Sequence, residues 1–272
     1  MMNRYKQNYF CEPIYTMTGR LVAMEMLTSF TTPDGKTCSY SEMADILIPE
    51  YKWLNFVRQL YCIRRWYSWF IKQKIYLSLN LDADTAVWLL RDKSVLSLLA
   101  KMPFIRLEVH EHFPSSEKEK QGLLNHLRPH VALWLDDVGS GSRNNFALLI
   151  SGFFCGTKID KTFFWEHHIN DISKLSKVIR DLTRYTGLVV VEGIENPTHL
   201  MSLSANPHCW LQGYLFPHIS IERIWDVPMQ IRLLPSLDDS CSAEVSPDST
   251  GINQAESAND FSDVQRSRKC IL

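Results

Sequence analysis

Read for its alternation of apolar and polar positions, the chain is a series of short strands separated by amphipathic helices. The segments "EPIYTM", "RLVAME", "IYLSLNL", "FIRLEVHE", "VALWLDD", "GTKID", "LVVVEGI" and "WLQGYLF" have the length and the β-branched or aromatic content of buried strands. Phe56, Leu60, Ile63, Tyr67 and Phe70 recur at spacings of four and three, which predicts a helix from about Asn55 to Phe70. "SYSE", Ser39 to Glu42, is a capping box that opens another helix. Further helices are predicted from about Thr85 to Leu99 and from Asn170 to Thr186. Strand–helix alternation from Tyr9 to Leu234 predicts one α/β domain whose length suits a (β/α)8 barrel. Periodicity alone does not separate a barrel from an open doubly wound sheet.

Composition then sets bounds. From Pro235 onward the chain is rich in Ser, Asp and Asn and nearly free of large apolar residues. Such a segment cannot offset its ordering entropy, so 235–272 is predicted to be a disordered tail. Its closing "CIL" after basic residues matches a prenylation box only superficially. The 272 residues carry 29 Lys and Arg against 30 Asp and Glu. That balance gives no electrostatic case for a nucleic-acid polymer or a membrane surface as partner. Seven scattered cysteines, none in a C-x-x-C pair, argue against a disulfide framework and for a reducing compartment. "MMNRYKQNYFCEP" lacks the apolar core of a signal peptide. "FALLISGFFCG", the most apolar run, is far shorter than the roughly 20 residues a spanning helix needs. A cytoplasmic protein is expected.

Candidate chemistry sits at the strand ends. Glu25 follows "RLVAM", Asn80 closes "LSLN", Glu108 closes "IRLE", and Asp136 and Asp137 follow "VALWL". Lys158 lies in "TKID", Glu192 closes "VVVE", and Gln212 precedes "GYLF". In a parallel barrel these ends open on one face, where active sites are built. Each acid alone is explained as a solvated strand end or a helix cap. Together they form an oxygen-only set that resists ionising without cations, the kind that Mg²⁺ or Mn²⁺ prefers. The "HEH" of His110 to His112 could be half a zinc site, but it lacks an evident third ligand. The aromatic and basic run "YCIRRWYSWFIK" reads as core packing with a solvated face, and the glycines of "GSGS" form no dinucleotide fingerprint.

The ordered series "AMEML", "LSLNL", "RLEVHE", "LDDVGSG", "TKIDKTF", "VVVEGIE" and "LQGYLF" resembles that of EAL-domain cyclic di-GMP phosphodiesterases. The opening "CEPIYTMTGRLVAMEMLTSF" looks most like that of the short stand-alone members from enterobacteria. The resemblance covers residues 9–234 and implies a modified TIM-like (β/α)8 barrel with two Mg²⁺ or Mn²⁺ ions. Glu25, Asn80, Glu108 and Asp136 would hold one ion. Asp136 would bridge to the second, held also by Asp137 and Glu192. Lys158 and Gln212 would orient and polarise the attacking water, so that Glu25, Glu192, Lys158 and Gln212 carry the catalysis. Glu111 and Glu195 would tether the glycine-rich loop after Asp137. The implied reaction opens cyclic di-GMP to linear pGpG, favouring motility over biofilm. A homodimer and a regulatory protein are the other partners considered. The alternative is a degenerate domain that binds nucleotide or protein without cleaving.

Some positions depart from the family pattern on the side where substrate would bind. The signature reads Glu25-Met26-Leu27, and Ser29 stands where many members have Arg. A charged hydrogen bond is worth about 1.5–3 kcal/mol, so its loss predicts weaker phosphate binding. Glu12 replaces a frequent Gln, and Val138 a frequent Phe.

Overall fold

Eight strands close into a ring, and one of them runs against the rest. The computed structural model describes residues 5–43, 46–110, 117–139, 149–150 and 152–233. Its strands are β1 (Lys6–Thr16), β2 (Leu21–Thr31), β3 (Thr37–Ser39), β4 (Tyr76–Leu81) and β5 (Ile105–His110). They continue with β6 (Ala132–Val138), β7 (Phe154–Ile159), β8 (Val189–Val191), β9 (Trp210–Leu211) and β10 (Ile219–Ser220). From β2 through β4 to β9 the neighbours pair in parallel. β1 closes the ring, antiparallel to both β2 and β9.

The reversal follows from a short connection. Thr16 to Arg20 form a tight turn, with Gly19 N donating to Thr16 O over 2.9 Å and Gly19 at φ 80°. A parallel crossover needs a dozen or more residues, so this turn permits only a hairpin. β3 and β10 extend the outer edges of β2 and β1.

The pleat builds the interior in layers. Ile14, Ala23, Trp134 and Val190 form a buried apolar plug inside the ring. Gly156 makes room for it, since a Cβ there would lie 2.6 Å from the Trp134 indole nitrogen. Two residues further toward the strand C-termini, the same inward positions are Glu25, Asp136 and Glu192. The alternate residues, such as Leu77, Leu79, Leu107 and Leu135, face outward onto helices bearing Phe56, Leu60, Leu89 and Ile179.

The ring settles what periodicity left open: the sheet is a closed barrel. The helices are shorter than the pattern alone gives. One expected from Asn55 to Phe70 is two, Pro49–Arg64 and Tyr67–Gln73, parted at Arg65–Trp66. That from Thr85 to Leu99 is also two, Ala83–Arg91 and Lys93–Ala100, because Asp92 Oδ1 accepts from Ser94 N and Val95 N and starts a new helix. Lys161–Asn170 is a helix of its own ahead of Ile172–Thr186, and Asp171 caps the latter. The capping box at Ser39 forms as expected: Ser39 Oγ accepts from Glu42 N while Glu42 Oε2 accepts from Ser39 N. In the aromatic run, Ile63 and Phe70 are fully buried and Arg65 pairs with Glu222. Among the described residues no helix is long and apolar enough to cross a membrane. The tail from 235 and the glycine-rich loop lie outside the described residues.

Candidate metal centre

Lys158 stands at the centre of the acids. Its side chain, 1% exposed, comes from β7 and lies in reach of four different strands or strand ends. Nζ lies 2.8 Å from Glu25 Oε2, 3.2 Å from Glu108 Oε2, 3.5 Å from Asp136 Oδ1 and 2.6 Å from Glu192 Oε1. The sequence reading gives the task of balancing these acids to metal cations alone; the chain supplies an internal cation as well. One ammonium is nonetheless outnumbered by four carboxylates. Burial alone would lower the Lys158 pKa, but Asp136, Glu108, Glu192 and Glu25 hold it well above the ordinary lysine value.

The acids register the imbalance. Burial first, with the Glu25 charge next, pushes Glu108 well above the usual carboxylate range. Burial raises Asp136 to about 6 and Glu192 to about 8, against the opposing pull of Lys158. Glu25 goes the other way. Burial pushes it up, yet the Lys158 charge and hydrogen bonds from Lys158, Gln212 and Asn80 together hold it below its ordinary value. Those bonds are 2.7 Å from Gln212 Nε2 and 2.8 Å from Asn80 Nδ2.

Asp136 and Asp137 pose a geometric problem, because neighbours on a strand point to opposite faces. Asp137 takes a left-handed φ of 57°, and the β6–β7 register slips between Leu135 and Val138. Left-handed backbone costs about 1–2 kcal/mol, a cost that Asp bears better than most residues. The twist brings both carboxylates to the site. Ligand oxygens of Asp136, Asp137 and Glu192 come within 4.8 Å of one another, the spacing of a metal cradle. His110 Nε2 donates to Asp137 Oδ2 over 2.6 Å and holds that carboxyl below its ordinary range.

Among the described residues, the buried acceptors Glu108 Oε1, Asp136 Oδ1 and Gln212 Oε1 receive no hydrogen bond, Lys158 Nζ standing off Asp136 Oδ1 at ion-pair distance, 3.5 Å. Orphaned acceptors of this kind are costly. With more carboxylates than cations and oxygen donors only, the residues fit divalent ions such as Mg²⁺ or Mn²⁺. Asn80 and Glu108 are drawn together as well, paired in register between β4 and β5.

Glu192 is held by its loop. Gly193 O accepts from Trp165 Nε1 at 2.8 Å and lies 3.1 Å from His199 Nδ1. Gly193 has φ 76°, and a Cβ there would meet Lys161 Cβ at 2.7 Å and Trp165 Nε1 at 2.8 Å. Ile194 N donates to Gln212 O, tying this loop to the end of β9. Glu195 is exposed, and its backbone N–H donates to His199 Nδ1. Its expected partner loop lies outside the described residues, as does Glu111.

The substrate-side positions line one face of the β1–β2 ribbon. Glu12 pairs in register with Glu25, Phe10 with Leu27, and Asn8 with Ser29. Glu12 reaches the site because β1 runs antiparallel. Its Oε2 accepts from Gln212 Nε2 at 3.2 Å, and burial leads its rise above the ordinary carboxylate value. Val138 is buried. Of the "HEH" run only His110 is described, Glu111 and His112 lying outside the described residues, and the metal-sized cluster found among the described residues is Asp136, Asp137 and Glu192. His110 belongs to the acid site. Period-2 alternation from Glu108 was the available signal for it; Trp165 and His199 left no comparable mark in the sequence.

The fold and site define a class, that of closed barrels with an acid-lined mouth built around a buried lysine. The chain belongs to the EAL domain family, whose profile matches residues 8–218. It is 26% identical over 224 residues to the anti-FlhC(2)FlhD(4) factor YdiV of Salmonella arizonae, covering 81% of this chain and 94% of that protein. It is also 26% identical over 211 residues to the cyclic di-GMP phosphodiesterase PdeH of Escherichia coli K12, covering 76% of this chain and 81% of that one. The crystal structure of the EAL-like domain protein YdiV superposes with a TM-score of 0.75 at 25% identity, covering 85% of this chain and 98% of that one.

Proposed function

We infer that the protein is a cyclic di-GMP phosphodiesterase that opens its substrate to linear pGpG at a site for two divalent ions. The observation that carries this reading is the convergence of Glu25, Asn80, Glu108, Asp136, Asp137 and Glu192 at one barrel mouth, the last three of them at metal spacing, with buried acceptor oxygens left undonated. Glu25, Asn80, Glu108 and Asp136 would hold one ion, and Asp136, Asp137 and Glu192 the other. When bound, the ions lower the pKa of a water and neutralise charge on the leaving oxygen. Lys158 keeps Glu25 ionised and orients Glu192 through a 2.6 Å contact from its ammonium. Gln212 offers a buried acceptor, Oε1, to that water while its amide nitrogen fixes Glu25.

Turnover in ¹⁸O-labelled water with Mn²⁺ tests this reading. The expected product is pGpG with one labelled oxygen on its 5′-phosphate, lost with EDTA and in Glu25→Gln. A second reading, a regulator that binds a protein partner without hydrolysis, is favoured by the equal similarity to the anti-FlhC(2)FlhD(4) factor. Cyclic di-GMP recovered intact by a folded chain with Mn²⁺ present would support it.

A further inference from the structure

We propose that His110 is a positioning residue that fixes Asp137 for metal binding, a role that rests on reading the acid ring as a metal site. β5 presents Glu108 and His110 on one face, so the imidazole stands one step outward from a buried site acid. In register, His110 pairs with Asp136 on the adjacent strand β6. Its Nε2 reaches across to Asp137 Oδ2 at 2.6 Å.

Asp137 needs such a hold more than the other acids do. Its side chain is 29% exposed, whereas those of Glu25 and Glu108 are 8% and 0% exposed and meet Lys158 directly. It also sits on a left-handed residue at a register slip, where no regular ladder fixes its direction. A donor on one carboxylate oxygen restricts rotation and leaves the remaining lone pairs for a cation. Partners that orient metal-ligating side chains in this way typically change affinity 10–100-fold when removed. His110 is not itself a ligand in this arrangement, because among the described residues the metal-sized cluster comprises Asp136, Asp137 and Glu192.

The test is Mn²⁺ titration by calorimetry on the native chain and on His110→Ala, His110→Phe and His110→Gln. The Ala and Phe variants remove the donor, and Gln returns an amide nitrogen near the same place. The imidazole is 46% exposed, so all three variants are expected to fold. The expected result is that one Mn²⁺ binds about tenfold more weakly in the Ala and Phe variants and recovers largely in Gln. The metal-free melting temperature falls only slightly, from the lost bond to the Asp137 carboxylate, and a merely structural role would not give Mn²⁺ affinity that follows the donor rather than the stability. Equal Mn²⁺ affinity in all variants would overturn the proposal, as would tighter binding in Ala, which would make His110 a competitor. A native chain that binds two ions while the variants match it sinks this proposal alone. A native chain that binds none sinks the metal reading with it.

Discussion

At the scale of single residues, Lys158 and the acids around it carry most of the account. Removing one partner from a buried charge cluster leaves uncompensated charge, at a cost of about 3–5 kcal/mol. Lys158→Met is therefore expected to lower the metal-free unfolding free energy by about that amount in urea titrations. Mn²⁺ should restore part of the loss, because its charge answers the same carboxylates. A metal-free Lys158→Met chain as stable as the native one would show that the ion cluster is not a structural hinge of the site. Glu25→Gln is expected to abolish hydrolysis while changing the melting temperature little. An amide oxygen in the place of Oε2 still accepts from Lys158 and Gln212, two of the three donors that converge on Glu25; the third is Asn80. Glu25→Ala is the poorer test, because it leaves all three without their acceptor. The acids were legible in the sequence because each follows an apolar run. The centrality of Lys158 was not, since its partner Glu25 lies 133 positions away and nothing local records the pairing.

At the scale of elements, the strand-to-loop junctions aim the site. The twist at Asp137 and the Gly193 loop turn side chains that an ideal strand would send elsewhere. Gly193→Ala places a Cβ on a left-handed residue against Lys161 and Trp165. A cost of about 1–3 kcal/mol follows, seen as a melting temperature lower by on the order of 5 °C. Metal-dependent activity should fall further than stability does, because Glu192 moves with its loop. Unchanged activity in a folded Gly193→Ala chain would contradict the placement of Glu192 among the ligands. Strand positions were readable from alternation, but the helix break at Asp92 and the separate helix Lys161–Asn170 were hidden. Apolar spacing continues across Asp92, and only its capping oxygen marks the restart. The reversal of β1 lay in the four-residue turn after Thr16, a length signal that composition does not announce.

At the scale of the whole molecule, closure of the barrel gathers residues from across the sequence into one mouth, leaving a metal-free chain with more buried carboxylate than cation. Any ligand that binds the folded state alone stabilises it, by about 2.7 kcal/mol at a hundred times its dissociation constant. Saturating Mn²⁺ is thus expected to raise the melting temperature by several degrees, and EDTA to reverse the rise. The most direct measurement is the stoichiometry of Mn²⁺ on the purified, EDTA-stripped chain by isothermal titration calorimetry. Two ions per chain in the native protein, and fewer than two in Asp136→Asn, are predicted, since in the proposed arrangement Asp136 would contribute to both sites. A native chain that binds no Mn²⁺ at millimolar concentrations while remaining folded would contradict the two-ion site and the hydrolysis built on it.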